Sequence, residues 1–121
     1  MKKLHLSIGL VAALSFAVET SAQTSIPAQE IKKHLNDSIS TSDKIYGGRV
    51  LDHTQITLLY VGGVFPEQVF TILAKEPARS ALKLKTLDDL KGRKVTVTGK
   101  VTEFGGKPQI VVTNPSQLKI E

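Results

Sequence analysis

Nine basic residues fall between positions 75 and 107 (Lys75, Arg79, Lys83, Lys85, Lys91, Arg93, Lys94, Lys100, Lys107), against four acidic ones, Glu76, Asp88, Asp89 and Glu103. That stretch alone carries +5, equal to the formal charge of the entire chain. Side chains of this kind along a groove can track a phosphate backbone, with an affinity that falls as salt rises because condensed counterions are released. The competing reading is a solvated strand face whose lysines discourage edge-to-edge pairing. Aromatic rings are the second ingredient, since every base offers a π-face to stack on. Beyond position 22 the rings are Tyr46, Tyr60, Phe65, Phe70 and Phe104, and the chain has no Trp. Phe70 alternates with Ile72 and reads as core. Tyr60 shares a face with Ile56 and Leu58, which reads as a buried ring with only the hydroxyl exposed. Phe65, in a Gly/Pro turn, and Phe104, on the polar side of its strand, are the better stacking candidates.

Other chemistries find little support. His34 and His53 lie near Asp37 and Asp52, but no His pair has helical spacing and no third or fourth ligand converges, so no metal is expected. Phosphodiester hydrolysis needs several carboxylates around a cation, with arginines to stabilise phosphoryl charge. Here the carboxylates are singly placed, apart from the divergent pair Asp88-Asp89, and there are three arginines. No Ser/His/Asp or Lys-based nucleophile is evident, and Gly62-Gly63 and Gly105-Gly106 lack the flanks of a phosphate loop. The absence of Cys excludes a disulfide scaffold, a thiolate zinc site and a Cys nucleophile. The reading is therefore non-enzymatic, with no cofactor.

The elements that must hold these groups belong to one domain, given 121 residues, of which 40% are hydrophobic. Lys2 and Lys3, an apolar run from 4 to 18, and Thr20 and Ala22 at −3 and −1 form a signal peptide, residues 1–22, cleaved after Ala22. The run is short for a bilayer span, so no membrane attachment is expected after cleavage. The remaining chain has 14 basic and 10 acidic residues and is expected in the periplasm or outside the cell.

Residues 23–37 read as a helical lead-in, with Pro27 in the first turn, apolar positions at 28, 31 and 35, and Asn36-Asp37 as the stop. The domain proper spans 38–121. A long first strand, 38–51, is bent or bulged at Gly47-Gly48. The second and third strands, 55–61 and 68–75, flank the Gly/Pro turn at 62–67. A short helix is expected within 78–85 and another turn at 87–90. The segment 93–104 alternates strictly, with Val95, Val97, Gly99 and Val101 on one side. A Gly105-Gly106-Lys107 hairpin leads to a return strand at 108–113, and Leu118 and Ile120 offer a last short edge. Five strands, with the only mid-chain helix between the third and fourth, is the order of a five-stranded Greek-key barrel, mainly β; a half-open sandwich would give similar patterns.

The run Gly92-Arg93-Lys94-Val95-Thr96-Val97-Thr98-Gly99-Lys100-Val101, followed by Gly106-Lys107-Pro108-Gln109-Ile110 and Asn114-Pro115-Ser116-Gln117-Leu118, resembles the C-terminal half of OB-fold domains. It is similar in particular to small exported bacterial OB-fold proteins of the nucleic-acid-binding, tRNA-anticodon-binding-like type. The stretch 57–72 (TLLYVGGVFPEQVFTI) resembles the second and third strands of the same group. The likeness spans roughly 31–120, mostly at strand cores, glycines and turns, so it speaks to the fold more than to the ligand. It implies ligand contacts from Arg49, Tyr60 and Phe65, with Lys94, Lys100 and Lys107 nearby.

Two function classes follow. In the first, the outer face around the second and third strands binds single-stranded DNA or RNA without catalysis. In the second, the domain is a periplasmic interaction or stress-associated module for a protein, a small ligand or a cation, and its charge serves solubility. The discriminating feature is whether the lysines and Phe104 gather beside those strands or scatter.

Overall fold

Alternation of inward and outward residues builds the two longest strands among the described residues. The computed structural model describes residues 24–51, 53–83 and 86–121; the expected leader, 1–22, lies outside them. Seven strands are present: β1 (Thr24–Ser25), β2 (Ser38–Leu51), β3 (Ile56–Val61), β4 (Phe70–Ala74), β5 (Lys94–Phe104), β6 (Lys107–Val112) and β7 (Leu118–Ile120). The five expected strands correspond to β2–β6. The last short edge expected at Leu118 and Ile120 is β7, paired with β5, and the count is corrected by one further short edge, β1 at the start of the lead-in.

The strands follow the order β1-β2-β3-β4-β6-β5-β7, and β2 also pairs with β5. Hence β2, β3, β4, β6 and β5 are hydrogen-bonded in a closed cycle, parallel between β4 and β6 and antiparallel elsewhere. The cycle closes because β2 serves two neighbours. Residues 38–44 pair with β5, residues 45–51 pair with β3, and the register slips between Ile45 and Gly47. A Cβ on Gly48 would collide with the Leu58 carbonyl oxygen, so only glycine permits the backbones to approach there.

Inward positions fill the space enclosed by the cycle. Ile39, Ile45, Leu59, Val61, Phe70 and Ile72 meet Val95, Val97, Val101, Ile110 and Val112, all essentially without exposure. The lead-in helix (Ala28–His34) is a 3-10 helix. At three residues per turn Ala28 and Ile31 fall on one side and are buried, whereas Leu35, expected on the same stripe, stands outside it and is exposed. Between β4 and β5 the chain forms α1 (Ala78–Ala81) and a 3-10 turn (Leu87–Leu90), whose Leu90 is buried. The Thr86 hydroxyl accepts from the Asp88 amide and caps that turn. Gly105 and Gly106, with φ of 62° and 81°, make the two-residue β5–β6 hairpin, which requires positive φ at both positions. Among the described residues no helix is long and apolar enough to cross a membrane.

Candidate functional site

With the inward positions spent on the core, the alternate residues of β2, β3, β4 and β6 form a continuous outer face. Strand register sets them in two rows. One runs Arg49, Leu58, Leu73, Val111; the other runs Gly47, Tyr60, Thr71, Gln109, Thr102. A Cβ on Gly47 would meet nothing within 4 Å, so space is left beside Tyr60. Two hairpin connections rise at the end of this face: the β3–β4 loop with Phe65, Pro66 and Gln68, and the β5–β6 turn with Phe104, Gly105 and Lys107. Together with Arg49, Leu58, Tyr60 and Leu73 they enclose a groove of about 490 Å³.

Its floor is apolar and its charge is of one sign. Leu51, Leu58 and Leu73 line it, Arg49 and Lys107 contribute cations, and among the described residues no carboxylate lies along it. Tyr60, 9% exposed, stacks beneath Phe65, 63% exposed, with ring centroids 5.1 Å apart and planes inclined by 34°. The buried ring thus supports the exposed one in a tilted pair of ordinary aromatic strength. Phe104, 75% exposed, stands on the opposite hairpin. Lys107 Nζ reaches the Gln68 carbonyl oxygen at 3.5 Å, tying one hairpin to the other loop. Gln68 is itself buried, and its Nε2 donates to Thr71 Oγ1 at 3.1 Å.

The residues singled out from sequence divide in two. Arg49, Tyr60, Phe65, Phe104 and Lys107 are brought together around the groove. Lys94 and Lys100 are not among its lining residues. They lie on the half of β5 that pairs with β2, opposite Lys44 and Ser38, and frame a ladder of hydroxyls in which Ser42 meets Thr96 at 2.7 Å and Thr98 donates to Ser40 at 3.3 Å. Three others of the basic run are held elsewhere, and Lys85 lies outside the described residues. Arg79 bonds Glu76 at 2.9 Å and Thr57 at 3.2 Å, Lys91 pairs with Asp88, and Arg93 donates to the Glu121 carbonyl. Glu76 also accepts from the Ser80 hydroxyl at 2.6 Å, and these bonds hold its carboxyl below the ordinary value of 4.5. His34 meets Asp37 at 3.3 Å, and among the described residues no three His, Asp or Glu side chains lie together as a metal site. Asp52, named beside His53 in the sequence, lies outside the described residues.

Sequence reasoning missed Gln68, Thr71, Gln109 and the leucine floor. The leucines carried a signal, because β3 and β4 are apolar on both faces. Gln68 carried none: a lone glutamine before a strand does not announce that it will be buried.

A closed cycle of five strands, with two further short edges and few helices, is an OB-fold-like arrangement. Comparison with solved structures agrees. The chain is similar to a Leishmania major Friedlin protein described as an aspartyl-tRNA synthetase, with a TM-score of 0.52 and 10% identity over 94% of this chain and 26% of that one. It is also similar to a chain in the crystal structure of yeast Stn1 and Ten1, with a TM-score of 0.56 and 15% identity over 91% of this chain and 69% of that one. The chain therefore spans about a quarter of the length of the first of these, and what is shared at such identities is the fold. No protein-family model and no curated protein matches the sequence.

Proposed function

We propose that this chain is an exported, non-catalytic OB-fold module, a five-stranded barrel that binds single-stranded nucleic acid in the groove beside β3 and β4. The observation that carries the reading is the composition of that groove: two projecting rings, Phe65 and Phe104, over an apolar floor, with the cations Arg49 and Lys107 at its sides. Stacking is indifferent to sequence and the cations supply backbone affinity, a combination suited to an extended strand with splayed bases. The resemblance of its strands and glycines to exported OB-fold proteins, and the OB-fold-like neighbours, support the same class. Residues 1–22 act as the cleaved signal peptide, residues 23–37 as the lead-in and 38–121 as the binding domain, in the periplasm or outside the cell. A contact role for Lys94 and Lys100 requires the strand to continue past the groove along β5.

The test is a fluorescence anisotropy titration of the protein against short labelled single-stranded DNA and RNA, at low and near-physiological salt. Micromolar or tighter binding that weakens with salt, and that fails on Phe65→Ala or Lys107→Glu, supports the proposal. Absence of binding at low salt overturns it. The groove would then be assigned to a protein partner held on the Leu51, Leu58 and Leu73 floor.

A further inference from the structure

We infer that Gln68 is the residue with which the groove discriminates between bases, accepting a hydrogen bond from the exocyclic amino group of a nucleobase lying beside Phe65. This rests on the nucleic-acid reading above and adds to it a named contact and a chemical preference. Gln68 lines the groove, yet it is only 6% exposed. Its carboxamide is fixed at one end, where Nε2 donates to the Thr71 hydroxyl at 3.1 Å. At the other end, Oε1 is buried without any hydrogen-bond partner. Among the described residues it is the sole buried side-chain oxygen or nitrogen left in that condition. Buried polar atoms are nearly always paired, because an unmade bond costs the full desolvation of the group. Gln68 thus carries an unmet acceptor beside a groove flanked by projecting rings, shielded as the side chain stands and completed by a ligand donor once the carboxamide turns outward.

The chemistry of the missing partner is constrained. Thr71 already occupies the donor end of the amide, so what is lacking is an N–H. The side chain turns about its torsions, so Oε1 can swing into the groove; Nε2 then leaves Thr71 and turns out with it, and the threonine hydroxyl, which can give or take a hydrogen bond, is free for another partner. Adenine and cytosine present an amino group at the base edge. The ring N–H of thymine or uracil is flanked by two carbonyl oxygens, which the Gln68 oxygen would repel. The groove is thus expected to favour amino-bearing bases, while the rings of Phe65 and Phe104 remain indifferent to sequence.

The experiment compares oligomers differing only in that amino group: oligo(dA) against the same length of deoxyribosyl purine, and oligo(dC) against deoxyribosyl 2-pyrimidinone. Anisotropy with the purified wild-type protein is expected to show amino-bearing strands binding about 5-fold tighter, the effect of one neutral hydrogen bond. In Gln68→Leu, similar in size and apolar, that difference should vanish, and a thermal melt checks that the variant is folded. Equal binding of both members of each pair to wild-type protein overturns the inference while leaving the nucleic-acid reading in place. So does an amino preference that persists in folded Gln68→Leu. If no oligomer binds at low salt, both fall together.

Discussion

Replacing Phe104 with alanine separates binding from stability more cleanly than any other change in the groove. Complete burial of a phenylalanine side chain stabilises a fold by about 1.5–3 kcal/mol. Phe104 is 75% exposed, so truncation removes roughly a quarter of that, about 0.4–0.8 kcal/mol. For a domain of this size the melting temperature falls by about 2–6 °C. Binding responds on a different scale: losing one base-stacking ring costs about 1–3 kcal/mol, which is about 5- to 150-fold in Kd. Anisotropy titrations at several salt concentrations, with a thermal melt of the same preparation, read both quantities. Stacking carries no counterion term, so the slope of log K against log salt should match wild type. Phe70→Ala is the opposite control, since that ring is fully buried and its loss costs about 3–5 kcal/mol of stability. Affinity within twofold of wild type, in a folded Phe104→Ala protein, would refute the assignment of this ring as a stacking platform.

Other consequences follow from charge and backbone. Lys107→Glu should weaken strand binding and flatten the salt slope by about 0.7 for each phosphate that is no longer neutralised, measured by the same titration. Gly48→Ala should destabilise by about 1–3 kcal/mol in urea melts, because its Cβ meets the Leu58 carbonyl oxygen. Gly47→Ala, where a Cβ meets nothing within 4 Å, should change stability by no more than about 1 kcal/mol, in the stabilising direction. Glu76 has a depressed carboxyl value, owing first to the Ser80 hydroxyl and then to Arg79. Its bonds therefore stabilise the fold above the ordinary value of 4.5 and are lost as pH falls through the lower folded value. Urea midpoints should decline less steeply below pH 4.5 in Glu76→Gln than in wild type.

The strands were legible because one side of each is buried and a period of two records it: Val95, Val97 and Val101 declare β5 without help. The bulge in β2 was legible at Gly47-Gly48, since glycine inside a strand marks a bend or a close approach. The edge β1 was not legible, because two residues of strand show no period. For the site, the ring exposures of Phe65 and Phe104 could be argued from turn and strand side. The separation of Lys94 and Lys100 from Lys107 could not, because β5 passes from one neighbour to the other along its length. A linear run of charge says nothing about which face the strand presents at each point. Gln68 escaped for a related reason: its burial depends on the β3–β4 loop folding against Lys107, a contact between residues 39 positions apart.

The double duty of β2 also governs when this chain can fold during synthesis. Its first half finds its partner only in residues 94–100, and β4 finds one of its two neighbours only in β6. Val95, Val97, Val101, Ile110 and Val112, a large part of the interior, all belong to the last third of the sequence. A fragment that stops before residue 94 lacks these partners, so a nascent chain stays open until residues 94–112 have emerged. Pairing over such separations is slow to form in any case. During that interval the polypeptide has no closed interior. The same interval leaves unsatisfied strands accessible to any holding factor that meets the chain before closure.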